Sequence, residues 1–235
     1  MKKRMWAPLL AAALAVGPMG FAADWVLPSG EVLPMGDKVV VWNAHDGYLG
    51  EAADAFLADP YFAREISKGF LEESGLFEKD EKKGADALGS AVMDVLRRSR
   101  VYQLRTTEGD VMHTAIAVSI PCDLKLTDAE KQDILTRAAA KTMEVEGNGE
   151  ILDAVKDYDA TVKETSEKSG KSHGVSYKSG KIVMTPKYEK MKMPLFLYWM
   201  STTKNDKETV TFVFANQTAG KIFEPLLNRA VGDMR

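Results

Sequence analysis

The stretch PLFLYWMSTTKNDKETVTFVFAN, residues 194 to 216, constrains the fold more than any other part of the chain. Read as a strand, its first part turns Leu195, Leu197 and Trp199 to one side and Phe196, Tyr198 and Met200 to the other, because side chains alternate along extended backbone. Both sides are apolar and need cover, which places the strand in the middle of a sheet. TTKNDKE then reverses the chain. Val210, Phe212 and Phe214 share one side of the returning strand, with Thr211 and Val213 on the other. A membrane span is rejected for MPLFLYWM, since eight helical residues cover about 12 Å against roughly 30 Å of hydrocarbon. The pair reads as core, with Tyr198 and Trp199 as its only ligand-facing candidates.

The first residues carry an address. Lys2, Lys3 and Arg4 form a positive segment, APLLAAALAVGPMG an apolar one, and Gly20, Ala22 and Ala23 the small side chains a signal peptidase requires. Residues 1–22 are therefore expected to be a Sec-type signal peptide, cleaved after Ala22 or Ala23. The apolar segment is shorter than a spanning helix and is interrupted by Gly17 and Pro18. Loss of three positive charges takes the net charge from −3 to −6. A mildly acidic exported chain is poorly suited to nucleic acid, and no integral span is expected after cleavage. The lone cysteine, Cys122, excludes an intramolecular disulfide, so the core must hold the fold. Cys122 itself is expected to be buried or half-buried after a strand.

Beyond the leader, residues 23–99 read as an extended arm followed by a helical segment. Trp25, Val26 and Leu27 anchor the arm, VVVW at 39 to 42 is a short strand, and NAHDGYLG is a loop. Phe62, Ile66 and Phe70 recur every four residues behind Pro60, as on one face of a helix. A second helix spans about Ala85 to Arg98, after the charged linker EKDEKKG.

Residues 100–235 read as an α+β core domain. VYQLRTT and VMHTAIAVSI flank EGD and form a hairpin, with Met112, Ile116, Val118 and Ile120 on one face and His113 among alanines on the other. Thr127 and Glu130 have capping-box spacing ahead of Ile134, Leu135, Ala138 and Met143, which predicts a helix. ILDAVKDY is a short helix or strand. Several strands separated by KSGKSHG and KSGK follow, then the opening stretch, then a helix from about Thr218 to Asp233 with a kink or a restart expected at Pro225.

Short connections make the strands antiparallel. The expected fold is an antiparallel sheet of about five to seven strands covered by helices. This order of elements is similar to that of sandwich folds of the Mog1 and PsbP type; the similarity rests on no motif and implies no function.

Chemistry-bearing residues are few. The three histidines, His45, His113 and His173, have no metal-ligand spacing around them, so no metal and no cofactor is expected. His45 and Asp46, in a loop after a strand, are the candidate acid or base of a hydrolase-type site; the alternative is a polar turn. His113 and Cys122, nine residues apart on extended chain, lie nearly 30 Å apart at about 3.3 Å per residue and cannot form a dyad.

From Ser166 to Lys192, seven lysines face two glutamates, a local charge of +5. Lys168, Lys171, His173, Tyr177, Lys178, Lys181 and Lys187 are candidate contacts for anionic lipid or wall polymer, or else an ordinary solvated sheet face. The leading expectation is a non-enzymatic, periplasmic or extracellular cell-envelope protein that binds an envelope partner. A hydrolase at His45 and Asp46 and a peripheral binder through residues 168 to 192 are the alternatives.

Overall fold

A computed structural model describes residues 24–46, 48–72, 76–130, 132–134, 136, 160–186 and 194–235. The chain is α+β. Strands β1 (Asp24–Val26) and β2 (Val32–Pro34) form a small hairpin. Strands β3 (Val39–Asn43), β4 (Arg100–Glu108), β5 (Val111–Pro121), β6 (Ala160–Ser172), β7 (Val175–Pro186), β8 (Leu195–Lys204) and β9 (Lys207–Asn216) form one antiparallel sheet, ordered β3-β4-β5-β9-β8-β7-β6. Helices α1 (Tyr48–Leu57), α2 (Pro60–Glu72) and α3 (Lys82–Arg98) precede β4, and α4 (Gln217–Gly232) follows β9. Among the described residues no helix is long and apolar enough to cross a membrane.

The opening stretch forms the hairpin β8–β9, and β8 is interior to the sheet, between β7 and β9. Its two-residue turn, Asn205-Asp206, has positive φ at both positions, as does His173-Gly174 between β6 and β7. Such turns match the right-handed twist of the strands they join.

The main core lies on one face of this sheet. Leu104, Ala117, Val213, Tyr198 and Val183 are buried there, under α4 and the β1–β2 hairpin. Helix α4 begins where the Asn216 side chain accepts from the Ala219 N–H at 2.8 Å. Phe223, Leu227, Ala230 and Val231 then form its buried stripe at helical spacing. Pro225 lies on the exposed side, and the helix is continuous through it. A Cβ on Gly220 would stand 2.2 Å from Phe196 Cγ, so glycine lets the helix settle directly on β8.

The expected arm is a plug. Trp25, Leu33 and Met35 are buried, Trp25 meets Tyr102 edge-on at 5.4 Å, and the Tyr102 hydroxyl donates to the Val26 carbonyl at 2.8 Å. Val26, expected as an anchor, is exposed instead. Glu31 is fully buried, accepting from Ser29 and, at 3.3 Å, from Thr202. The chain's last residue joins this hairpin through two backbone hydrogen bonds between Val32 and Arg235.

The helices before β4 have a small core of their own. Phe77, Ala85 and Leu88 pack with Leu124, Leu126 and Ile134. The expected capping box is present: Thr127 N–H and hydroxyl donate to Glu130 Oε2 at 2.7 Å, and Glu130 N–H donates back to Thr127 Oγ1 at 3.3 Å. These bonds hold the Glu130 carboxyl below its ordinary pKa. Arg98 ties α3 to the segment after β5 through Asp123 at 2.6 Å, and Asp94 of the same helix holds the guanidinium at 2.8 Å. Leu135, Ala138, Met143 and the ILDAVKDY segment lie outside the described residues.

Three expectations change. In β5 and β9 the deep face carries Ala115, Ala117, Val213 and Ala215, whereas the larger Met112 and Phe214 side chains are exposed. Small side chains suit this face, where α4 lies against both strands. KSGK is no turn, since Lys178 to Lys181 run within β7 and the Trp199 indole packs against Gly180. Cys122 is exposed, and partial desolvation of its thiol, with the charge of nearby Glu208, raises its pKa.

Candidate functional site

His45 and Asp46 belong to a turn organised by Asn43. The Asn43 side chain accepts from the His45 N–H at 3.0 Å and donates to Asp46 Oδ1 at 3.1 Å, and its carbonyl accepts from the Asp46 N–H at 3.1 Å. The His45 ring faces Asp54 of α1 at 3.4 Å, so the two candidate residues turn to different partners. Among the described residues no group of three or more His, Cys, Asp or Glu side chains could hold a metal ion.

The described lysines of the basic segment divide between the two faces of the sheet. The β6–β7 register pairs Lys168 with Ser179 and Lys181 with Ser166, on the α4 side; Lys171 and Lys178 fall in the alternate set, on the far side. His173 is in the turn, where its Nδ1–H donates to the Met234 carbonyl at 3.0 Å. Tyr177 is half-buried against the main core, and Lys187 lies outside the described residues. The described lysines thus make no continuous cationic face.

Lys168 instead borders a cavity of about 100 Å³. Three adjacent strands and one helix build it: Ser166 and Lys168 from β6, Ser179 from β7, Tyr198 from β8, and Glu224 and Asn228 from α4. Strand alternation aims the β-residues at α4. Glu224 and Asn228, four apart, present the polar flank of the helix beside its buried stripe.

The polar groups fall into committed and free sets. Lys181 bonds to Glu164 at 2.6 Å and to both Glu224 oxygens at 2.9 and 3.0 Å, and these partners raise its pKa. The Tyr198 hydroxyl donates to Asn228 Oδ1 at 3.1 Å, and burial pushes its pKa up to about 12. Ser179 is fully buried, and its Oγ has no hydrogen-bond partner; it neighbours the Tyr198 oxygen without completing a bond of normal geometry. Lys168, exposed at the β6 edge, makes no ion pair or hydrogen bond among the described residues. Partial desolvation of its ammonium lowers its pKa, opposed by the charge of Glu224.

No base holds the Ser179 proton, so the arrangement lacks the nucleophile–base contact of covalent catalysis. What it offers is a set of polar groups around a space large enough for water or a small ligand.

Of the candidates from the sequence, Lys168 and Tyr198 meet here, and Lys181 braces the wall. Trp199 faces the other way, against Gly180. Ser166, Ser179, Glu224 and Asn228 were not foreseen; the signal that was available is the polar i, i+4 pair flanking the apolar stripe of α4. No protein-family model, curated protein or solved structure matches the chain, so the site stands on its own geometry.

Proposed function

We propose that this chain is an exported cell-envelope protein that acts by binding, and that a small polar ligand occupies the cavity between β6, β7, β8 and α4. The leader-like residues 1–22 support the address. The observation that carries the binding reading is Ser179. A fully buried hydroxyl without a partner costs about 1–3 kcal/mol, and here it lines a polar cavity. A ligand accepting from it recovers that cost.

The test is thermal unfolding of the purified protein against a panel of small sugars, amino acids, organic acids and phosphates. A bound ligand raises Tm in a saturable way, by about 2.7 kcal/mol of stabilisation at a hundredfold excess over Kd. Ser179→Leu, which fills the cavity, abolishes the shift. A panel with no stabilising compound, or a shift unchanged in that variant, would sink the proposal.

A further inference from the structure

Donors and acceptors in the cavity are unequally committed, and the imbalance has a sign. Both Glu224 oxygens already accept from Lys181, and Asn228 Oδ1 already accepts from Tyr198. Three donors form no hydrogen bond of normal geometry within the described protein: the Lys168 ammonium, the Ser179 hydroxyl and Asn228 Nδ2. They come from three separate elements and border one space. Ammonium and amide nitrogens donate only, and a buried hydroxyl that completes no bond of its own has its proton to give.

Resting on the binding reading above, we infer that the cavity is a site for a small oxyanion, a carboxylate or phosphate group that accepts from Lys168, Ser179 and Asn228. An oxyanion has lone pairs enough for all three donors, and hydrogen bonds to a charged acceptor are the stronger kind. Lys168 supplies the charge. The neighbouring negative charge, Glu224, is partly offset by Lys181, which is itself shared with Glu164. Lys181 engages both Glu224 oxygens, and among the described residues Glu224 forms no ion pair with Lys168. The volume admits an anionic group with few further atoms, such as a small organic acid or inorganic phosphate.

Acetate, acetamide and acetamidinium have one planar shape and differ in charge, which makes them suitable probes, with inorganic phosphate as a fourth. Each is titrated into the purified protein by NMR, following the amide signal of Gly180 and the side-chain amide of Asn228. The inference expects acetate or phosphate to bind about tenfold or more tightly than acetamide, and more tightly again than acetamidinium. Lys168→Gln removes that preference and leaves acetamide unchanged. Lys178→Gln, on the far side of the sheet, leaves all four titrations unchanged.

Binding of acetate without phosphate assigns the site to carboxylates, and the reverse to phosphates. Acetamide or acetamidinium binding as tightly as the anions, or anion binding unaltered in Lys168→Gln, overturns the oxyanion assignment while the binding reading stands. If none of the four binds while the panel yields a ligand, the assignment alone falls. If the panel also fails, both fall.

Discussion

The carboxylate of Asp24 lies 2.8 Å from the guanidinium of Arg235, so the last residue of the chain clasps the first residue of β1. The contact is exposed on both sides, and its neighbours carry more of the energy. Met234 is fully buried, and its carbonyl accepts from Ser172 Oγ at 2.8 Å and from the His173 ring.

Arg235→Ala is therefore expected to cost less than about 1 kcal/mol, as exposed ion pairs do. Removing both Met234 and Arg235 is expected to cost about 2–5 kcal/mol, the range for emptying a buried methionine site. Urea unfolding midpoints of the two variants check the difference. Equal losses would show that the ion pair, and not the buried methionine, holds the end of the chain.

Two glycine substitutions should have opposite signs. A Cβ on Gly180 would stand 2.3 Å from the Ser166 carbonyl and 2.8 Å from Trp199 Nε1, and a backbone oxygen in the sheet has little room to move. Gly180→Ala is expected to destabilise by about 1–3 kcal/mol, as overpacking does. Nothing lies within 4 Å of a Cβ on Gly69 in α2. Gly69→Ala is expected to stabilise by up to about 1 kcal/mol through helix propensity. Thermal melts of both variants read the signs directly.

The Arg98 cluster predicts an acid limb. Hydrogen bonding from Lys125, then the charge of Arg98, outweighs burial and lowers the Asp94 pKa; at Asp123, burial is overcome by the hydrogen bond and charge of Arg98. Both folded pKa values lie below the unfolded ones. Their stabilisation is therefore complete above the ordinary aspartate range and is lost as pH falls through the folded values. Solvent screens these part-exposed groups, so each contributes under about 1 kcal/mol. Arg98→Gln should flatten stability against pH below about pH 4, the ordinary Asp pKa. An unchanged acid limb in denaturant titrations would show that other carboxylates set it.

The cavity predicts an uncommon pair of outcomes for conservative changes. Ser179→Ala removes a buried hydroxyl that bonds to nothing, so stability should hold or rise by about 1 kcal/mol while ligand binding weakens. Tyr198→Phe removes a formed bond to Asn228 and should cost about 1 kcal/mol. Calorimetric unfolding of both variants without ligand tests the contrast. A destabilised Ser179→Ala would mean that the hydroxyl already has a partner.

Residues 194 to 216 were legible because two-sided apolar alternation admits an interior strand and little else, and Thr127 with Glu130 because a capping box is local. Depth was less legible. Alternation separates Phe212 from Val213 but does not say which is deeper, and the choice falls to Val213 because α4 covers the face that carries it. KSGK has the composition of a turn, but Trp199 packs against its glycine from another strand. The cavity was hardest to foresee, since Lys168, Ser179, Tyr198 and Asn228 lie on four elements and share no local spacing. Sequence proximity picked out Lys168 for charge, and only the cross-strand register joins it to Ser179.

The backbone bonds between Val32 and Arg235 also set an order of events. A chain that leaves the ribosome or a membrane pore amino end first presents β2 long before its partner. Strand β5 likewise waits for β9, with Ile116 opposite Phe214. The hairpin cannot complete this seam until the segment that carries Arg235 has been made. The seam between β2 and Arg235 therefore closes only after β9 and α4 have been made, which makes it a late step of folding and not its nucleus.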